Sequence, residues 1–193
     1  MATSWVEICN LGLIHLGAET ITQLVPPLTN NAQLCNAVYR GAADEVLCEH
    51  EFACAEKRQD LNRLTAEPDS VLWHYQYQLP VDFLKIREVD PDSPYRREAE
   101  VVLSNEGVLT LVYTYQVINP KSLDTHVARA IAAKIGLILA PKIVHKDTFT
   151  NYMEGVYERA LLKARWAELH KEKKQEVDLL HDQTLPDRWE QVH

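Results

Sequence analysis

From Trp5, apolar residues recur at spacings of three and four: Trp5, Ile8, Cys9, Gly12, Leu13 and Leu16. That period marks one face of a helix over about 4–17. Ser4 followed three residues later by Glu7 is a capping-box start, and Gly17 suits the stop. Residues 18–29 contain Pro26-Pro27 among Thr and Gln and read as a loop. A second stripe, Leu34, Cys35, Val38, Ala42 and Val46, predicts a helix capped by Asn30 or Asn31. Only Gly41 interrupts the pattern before Leu64, so this helix is expected over about 31–64. Its other face carries Arg40, Asp44, Glu45, Glu49, Glu56 and Asp60 and reads as solvated or facing a polar partner.

The period then changes. Tyr75, Tyr77, Leu79, Phe83, Leu84 and Ile86 lie around the break at Pro80. Val101–Ser104 and Val108–Val117 flank Asn105-Glu106-Gly107, with Leu109, Leu111, Tyr113 and Tyr115 alternating with Val108, Thr110, Val112 and Thr114. This predicts a hairpin, its tip directed away from the core and its odd-numbered face packed on the helices or on a neighbouring subunit. Three or four antiparallel strands are expected over about 75–118. A third helix follows over about 124–140, capped by Ser122 or Asp124, with Val127, Ile131, Ile135 and Ile138 facing inward and Pro141 as its limit. A fourth, over about 147–174, carries Phe149, Met153, Val156, Tyr157, Leu161 and Ala164. Residues 175–193 show no helical period and read as an extended tail. The fold class is α+β: a bundle of about four helices with an inserted antiparallel sheet, one domain over 1–174, and that tail.

Charge adds an asymmetry. The 193 residues carry a net charge of -8. An acidic total argues against a dedicated duplex-DNA binder, which needs a basic face to displace counterions. Residues 146–174 hold 7 bases and 5 acids, a net of +2, while residues 175–193 hold 5 acids and 1 base, a net of -4. A basic helix followed by an acidic tail is suited to packing against copies of itself or a partner. Met1-Ala2-Thr3-Ser4 has no basic region and no apolar run follows, so a signal peptide is not expected. The most apolar stretch, 130–144, is broken by Lys134, Pro141 and Lys142 and is too short for a membrane span. A soluble cytosolic product is expected, and its four cysteines fit no secreted disulfide framework.

Candidate chemistry is sparse. His50-Glu51-Phe52-Ala53-Cys54 falls one residue short of the H-E-x-x-H zinc-protease motif. On a helix, Cys48 and His50 point about 200° apart, so Cys48, His50 and Cys54 do not make a metal site there. No glycine-rich phosphate loop and no G-x-S-x-G elbow occur. Asp124, two residues before His126, is explained by capping, and Asp82 after Pro80 by a turn. A small metal-dependent hydrolase using His50 is therefore the weak rival. No catalytic residue, metal or cofactor is expected.

Several stretches together resemble the tail tubular protein A-like family of tailed bacteriophages, the head-to-tail adaptor or connector proteins. They are Ile8-Cys9-Asn10-Leu11-Gly12-Leu13-Ile14-His15-Leu16-Gly17-Ala18-Glu19-Thr20-Ile21, Leu34-Cys35-Asn36-Ala37-Val38-Tyr39, Asp44-Glu45-Val46-Leu47 with Glu49-His50, Tyr77 to Ile86, and Leu109-Thr110-Leu111-Val112-Tyr113. The similarity covers most of residues 4–165. The family often has Pro-Trp where this chain has Glu51-Phe52, a departure that suggests the second helix runs on. The resemblance implies a non-enzymatic ring of twelve copies in the virion neck, made in the host cytoplasm. It would dock under the portal protein, above a downstream tail or nozzle protein, with DNA passing through the lumen unbound. Asp44, Glu45 and Glu49 are the candidate lumen acids. Leu179, Leu180, Leu185 and Trp189 are candidate anchors for the portal or an adjacent subunit, since large apolar groups in an acidic tail suit a partner pocket. Another neck part, such as a head-completion or tail-terminator protein, is the nearer rival.

Overall fold

The computed structural model describes the backbone of residues 4–183 and the side chains of residues 4–171. The Ser4 hydroxyl accepts from the Glu7 N–H at 3.2 Å, and helix α1 (Trp5–His15) follows. Gly17, at φ +66°, takes the left-handed turn that ends it. The next loop is clasped from α1: the Asn10 amide donates to the Ile21 carbonyl at 2.9 Å and accepts from its N–H at 2.8 Å. Asn31 donates to the Glu19 carbonyl, so it anchors the loop instead of capping a helix. Thr29 takes that role, accepting from the Ala32 N–H at the start of α2 (Asn30–Glu49).

Helix α2 stops at Glu49 and does not continue to Leu64. Phe52 and Ala55 are fully buried, and a 3₁₀ turn at Ala53–Ala55 directs the chain into a sheet. Strand β1 (Glu56–Asp60) is exposed at every residue and pairs with β7 (Thr110–Tyr115) from Glu56↔Thr114 to Asp60↔Thr110. Tertiary pairing has overridden local helix propensity, and the charges suit an edge strand.

Among the described residues, seven strands form two antiparallel sheets. The first is ordered β1-β7-β4, with β4 at Phe83–Asp90. The second is ordered β2-β3-β6-β5, from Asn62–Arg63, Tyr75–Gln78, Val101–Ser104 and Tyr95–Glu98. The expected hairpin does not form, because β6 and β7 belong to different sheets. Asn105-Glu106-Gly107 carries the chain across, and is held at β3: the Tyr77 hydroxyl donates to the Glu106 carbonyl and the His74 N–H to Asn105 Oδ1. Leu109, Leu111 and Tyr113 fill the space between the sheets with Leu61, Tyr77, Leu79, Val89 and Val102, and do not pack on the helices. Alternation at period two is the same for a strand facing a second sheet as for one facing helices.

Helix α3 (Thr125–Ile143) runs past Pro141, because a proline in the last turn removes only its own hydrogen bond. Asp124 makes no side-chain cap; its carboxylate holds Lys171 Nζ at 2.5 Å. Helix α4 (Asp147–Gln183) extends beyond the expected limit at 174. Residues 171–178 are rich in Lys, Glu and Gln, good helix formers, with no breaker before Pro186. Leu179 and Leu180 thus lie on the helical backbone path; their side chains, and all of Leu185 and Trp189, fall outside the described residues. Among the described residues, no helix is long and apolar enough to cross a membrane.

Helix α3 is the centre of the helical core, with Ala128, Ile131, Ala132, Ile135, Leu139 and Ala140 buried. Leu16, Val46 and Leu161 are buried with them, while Leu34, Val38 and Val156 line the rim of the same cluster. Gly12 meets Gly136 where α1 crosses α3: a Cβ on Gly12 would stand 2.8 Å from the Ala132 carbonyl oxygen. Arg87 joins the layers, donating through Nε to Thr114 Oγ1 at 2.9 Å, Nη1 to Glu56 Oε2 at 2.9 Å and Nη2 to the Phe52 carbonyl at 2.7 Å.

Ile135 is fully buried, so Ile135→Ala is expected to destabilise the protein by about 2–5 kcal/mol, the combined effect of lost transfer energy and a cavity; chemical denaturation measures it. Asp82 supplies a second prediction. Burial alone would raise its carboxyl pKa, but bonds from Lys57 Nζ and the Tyr113 hydroxyl hold it below its ordinary value. A lowered folded-state pKa stabilises above the unfolded value and is lost as pH falls through the folded one. Asp82→Asn should therefore cost about 1–2 kcal/mol at neutral pH, and the gap from the parent should close below about pH 4 in melts run across that range.

Candidate functional site

The three candidate lumen acids all lie on α2 but do not form one free acidic face. Asp44 is half-buried; its Oδ2 accepts from Gln116 Nε2 at 2.6 Å, and burial raises its pKa. Glu45 pairs with Lys134 of α3 at 2.6 Å, and Glu49 with Arg165 of α4 at 3.3 Å. Asp44 therefore ties α2 to the residue that follows β7, while Glu45 and Glu49 tie it to the other two long helices.

The short-range lookalikes resolve into structural roles. His50 ends α2 in an extended conformation with its ring edge-on to Phe52, centroids 5.2 Å apart. Burial raises the pKa of the Cys48 and Cys54 thiols. Among the described residues, no group of three or more His, Cys, Asp or Glu side chains is placed to hold a metal ion. Among the described residues the one deeply buried acid is Glu168, which accepts from the Ala53 N–H at 2.9 Å and lies 3.6 Å from Lys171. It fastens α4 to the turn after α2.

Two surfaces stand out among the described residues. The first is on α4. Met153, Tyr157, Leu161 and Ala164 face the core. On the opposite side Leu162, Trp166 and Leu169 follow one another at spacings of four and three, and Trp166 is 57% exposed. A helix with apolar stripes on opposite faces has a second surface to cover. The sequence expectation covers the inward stripe alone, although the outward one has the same helical period.

The second is a groove of about 650 Å³ between α1, α3 and α4. Leu11, Ala132, Val156 and Ala160 supply apolar walls, and Arg129, Arg159 and Lys163 line it with His15 and His126. These five side chains come from three helices separated in sequence, so no local motif announced them. The groove continues along α1 past Leu11 and Ile14 to Glu7, the acid at its far end. The arrangement suits an acidic partner that also presents apolar groups; it offers no nucleophile–base pair.

No family model matches this chain, and a search of curated proteins returns no match.

The outer face of α4 carries the prediction here. Trp166→Ser with Leu169→Ser should leave monomer stability within about 0.5 kcal/mol, as exposed positions allow; if this face is covered by a second copy, the pair should also weaken that association roughly tenfold or more. Sedimentation velocity across a concentration series reads the second effect, and thermal melts the first.

Proposed function

We propose that this protein is a structural part of a tailed-phage neck, a head-to-tail adaptor whose copies form a ring of twelve between the portal and the tail. The observation that carries this reading is the order and spacing of the adaptor-like stretches along most of residues 4–165. Its physical support is the work those residues do. Asn10 clasps the loop at Ile21, Gly12 admits α3, and Asp82 joins Lys57 to Tyr113. These are fold-holding roles, as expected of a part selected for shape. The chain acts without catalysis, as a rigid spacer in the virion neck, with a downstream tail or nozzle protein beneath it.

The exposed apolar stripe on α4 supports assembly, since a lone subunit gains nothing from exposing Trp166. The net charge of -8 supports a lumen that lets DNA slide past. The test is a symmetry-resolved image of the neck of particles carrying a tagged copy of this chain. A twelve-fold ring directly beneath the portal, with the tag on it, is the expected result. A tag one layer lower would assign the chain to another neck component, and particles lacking it would remove the virion role.

A further inference from the structure

We propose that the groove between α1, α3 and α4 receives the acidic, leucine- and tryptophan-bearing segment 175–193 of a second copy of this chain. This deepens the ring reading and rests on it in one respect: two copies must meet.

Charge comes first. Arg129, Arg159 and Lys163 are exposed cations on the groove, and among the described residues none of their side chains has a hydrogen-bond or ion-pair partner. On the same two helices Lys134, Arg165 and Lys171 each pair with a carboxylate, so α3 and α4 hold both paired cations and these three unpaired ones. Three unpaired cations around apolar walls ask for carboxylates carried on an apolar segment. Segment 175–193 has that composition: Glu176, Asp178, Asp182, Asp187 and Glu190 against Arg188, interleaved with Leu179, Leu180, Leu185 and Trp189.

Geometry then says whose segment it is. Helix α4 runs unbroken from the groove to Gln183. At about 1.5 Å per residue, Gln183 stands about 30 Å beyond Lys163. Leu179 and Leu180 lie on that departing helix. Trp189 follows Gln183 by six residues, a reach of about 20–22 Å even when fully extended. A subunit therefore cannot return its own leucines and tryptophan to its own groove. A neighbour's segment has no such limit. The contact joins two different surfaces, the head-to-tail kind that builds a ring when its rotation closes.

The experiment titrates a fluorescein-labelled peptide of residues 175–193 into the full-length protein, below the concentration at which the protein self-associates, and reads anisotropy. Binding is expected, weakening as salt rises. It should fall roughly tenfold or more for Arg159→Glu with Lys163→Glu, and comparably when the peptide carries Trp189→Ala. Circular dichroism melts check that the exposed charge reversals leave the fold intact. A mixed sample gives an independent arm: full-length protein with Asp178→Lys, Asp182→Lys and Asp187→Lys should recover association with the groove-reversed protein, which neither variant achieves alone. Equal peptide binding by the parent and the groove variant would overturn the inference, as would no binding to the parent. A 20-base-pair duplex that binds in place of the peptide, and is lost on the same reversal, would make the groove a phosphate site and also overturn it. A chain absent from the neck defeats the adaptor reading while leaving the peptide result standing. A twelve-fold ring with an indifferent groove defeats only the present inference.

Discussion

Helices α1 and α3 touch backbone to backbone where Gly12 meets Gly136, and much of the helical layer is arranged around that crossing. A methyl group on Gly136 would stand 2.9 Å from Met153 Cε on α4 and 3.2 Å from the Gly12 carbonyl oxygen. One glycine pair thus sets the spacing of α1 and α3, with the Met153 side chain of α4 filling against it. The rest of α3 follows the same rule, with alanines at 128, 130, 132, 133 and 140 all buried. Small side chains forgo buried area per residue but allow close approach, and the larger Ile131, Ile135 and Leu139 then fill the remaining volume.

The strand layer is attached to this core by Leu84 and Tyr115, which pack against the helical cluster, and by directional polar contacts. The Arg87 side chain is only 5% exposed, and a buried cation is tolerated only when its donors find partners. It has a carboxylate, a hydroxyl and a backbone carbonyl, one of them from the turn after α2. The Asp44–Gln116 bond and the Trp5 indole donating to the Ile118 carbonyl at 2.8 Å secure the other side. Directional bonds fix the orientation of one layer on the other, which apolar contact alone leaves looser.

Helices were legible in the chain wherever the apolar period was strong. The stripe from Trp5 to Leu16 and the inward faces of α3 and α4 are where the three-and-four spacing placed them, except at Ile138, which was expected inward and is exposed. Two kinds of feature were not. The stretch from Glu56 to Asp60 has helix-forming residues and becomes a strand because β7 offers an open edge, a fact fixed some fifty residues away. The passage from β6 to β7 has a hairpin's alternation, yet sheet membership depends on partners that alternation does not name. The groove was hidden for a related reason: Arg129, Arg159 and Lys163 become neighbours only after α3 and α4 are packed. Leu162, Trp166 and Leu169, by contrast, were readable as a second stripe.

The chain leaves the helices at Glu56 and returns at Thr114, and these two residues are paired across adjacent strands. To the helical layer, both sheets are therefore a stem with closed feet. The turns after β2 and between β4 and β6 can lengthen, shorten or change character without altering the distance the helices must accommodate. Related chains can thus diverge most freely in the outer sheet, and the sheet unit is a natural place to graft or trim by engineering while the helical scaffold keeps its shape.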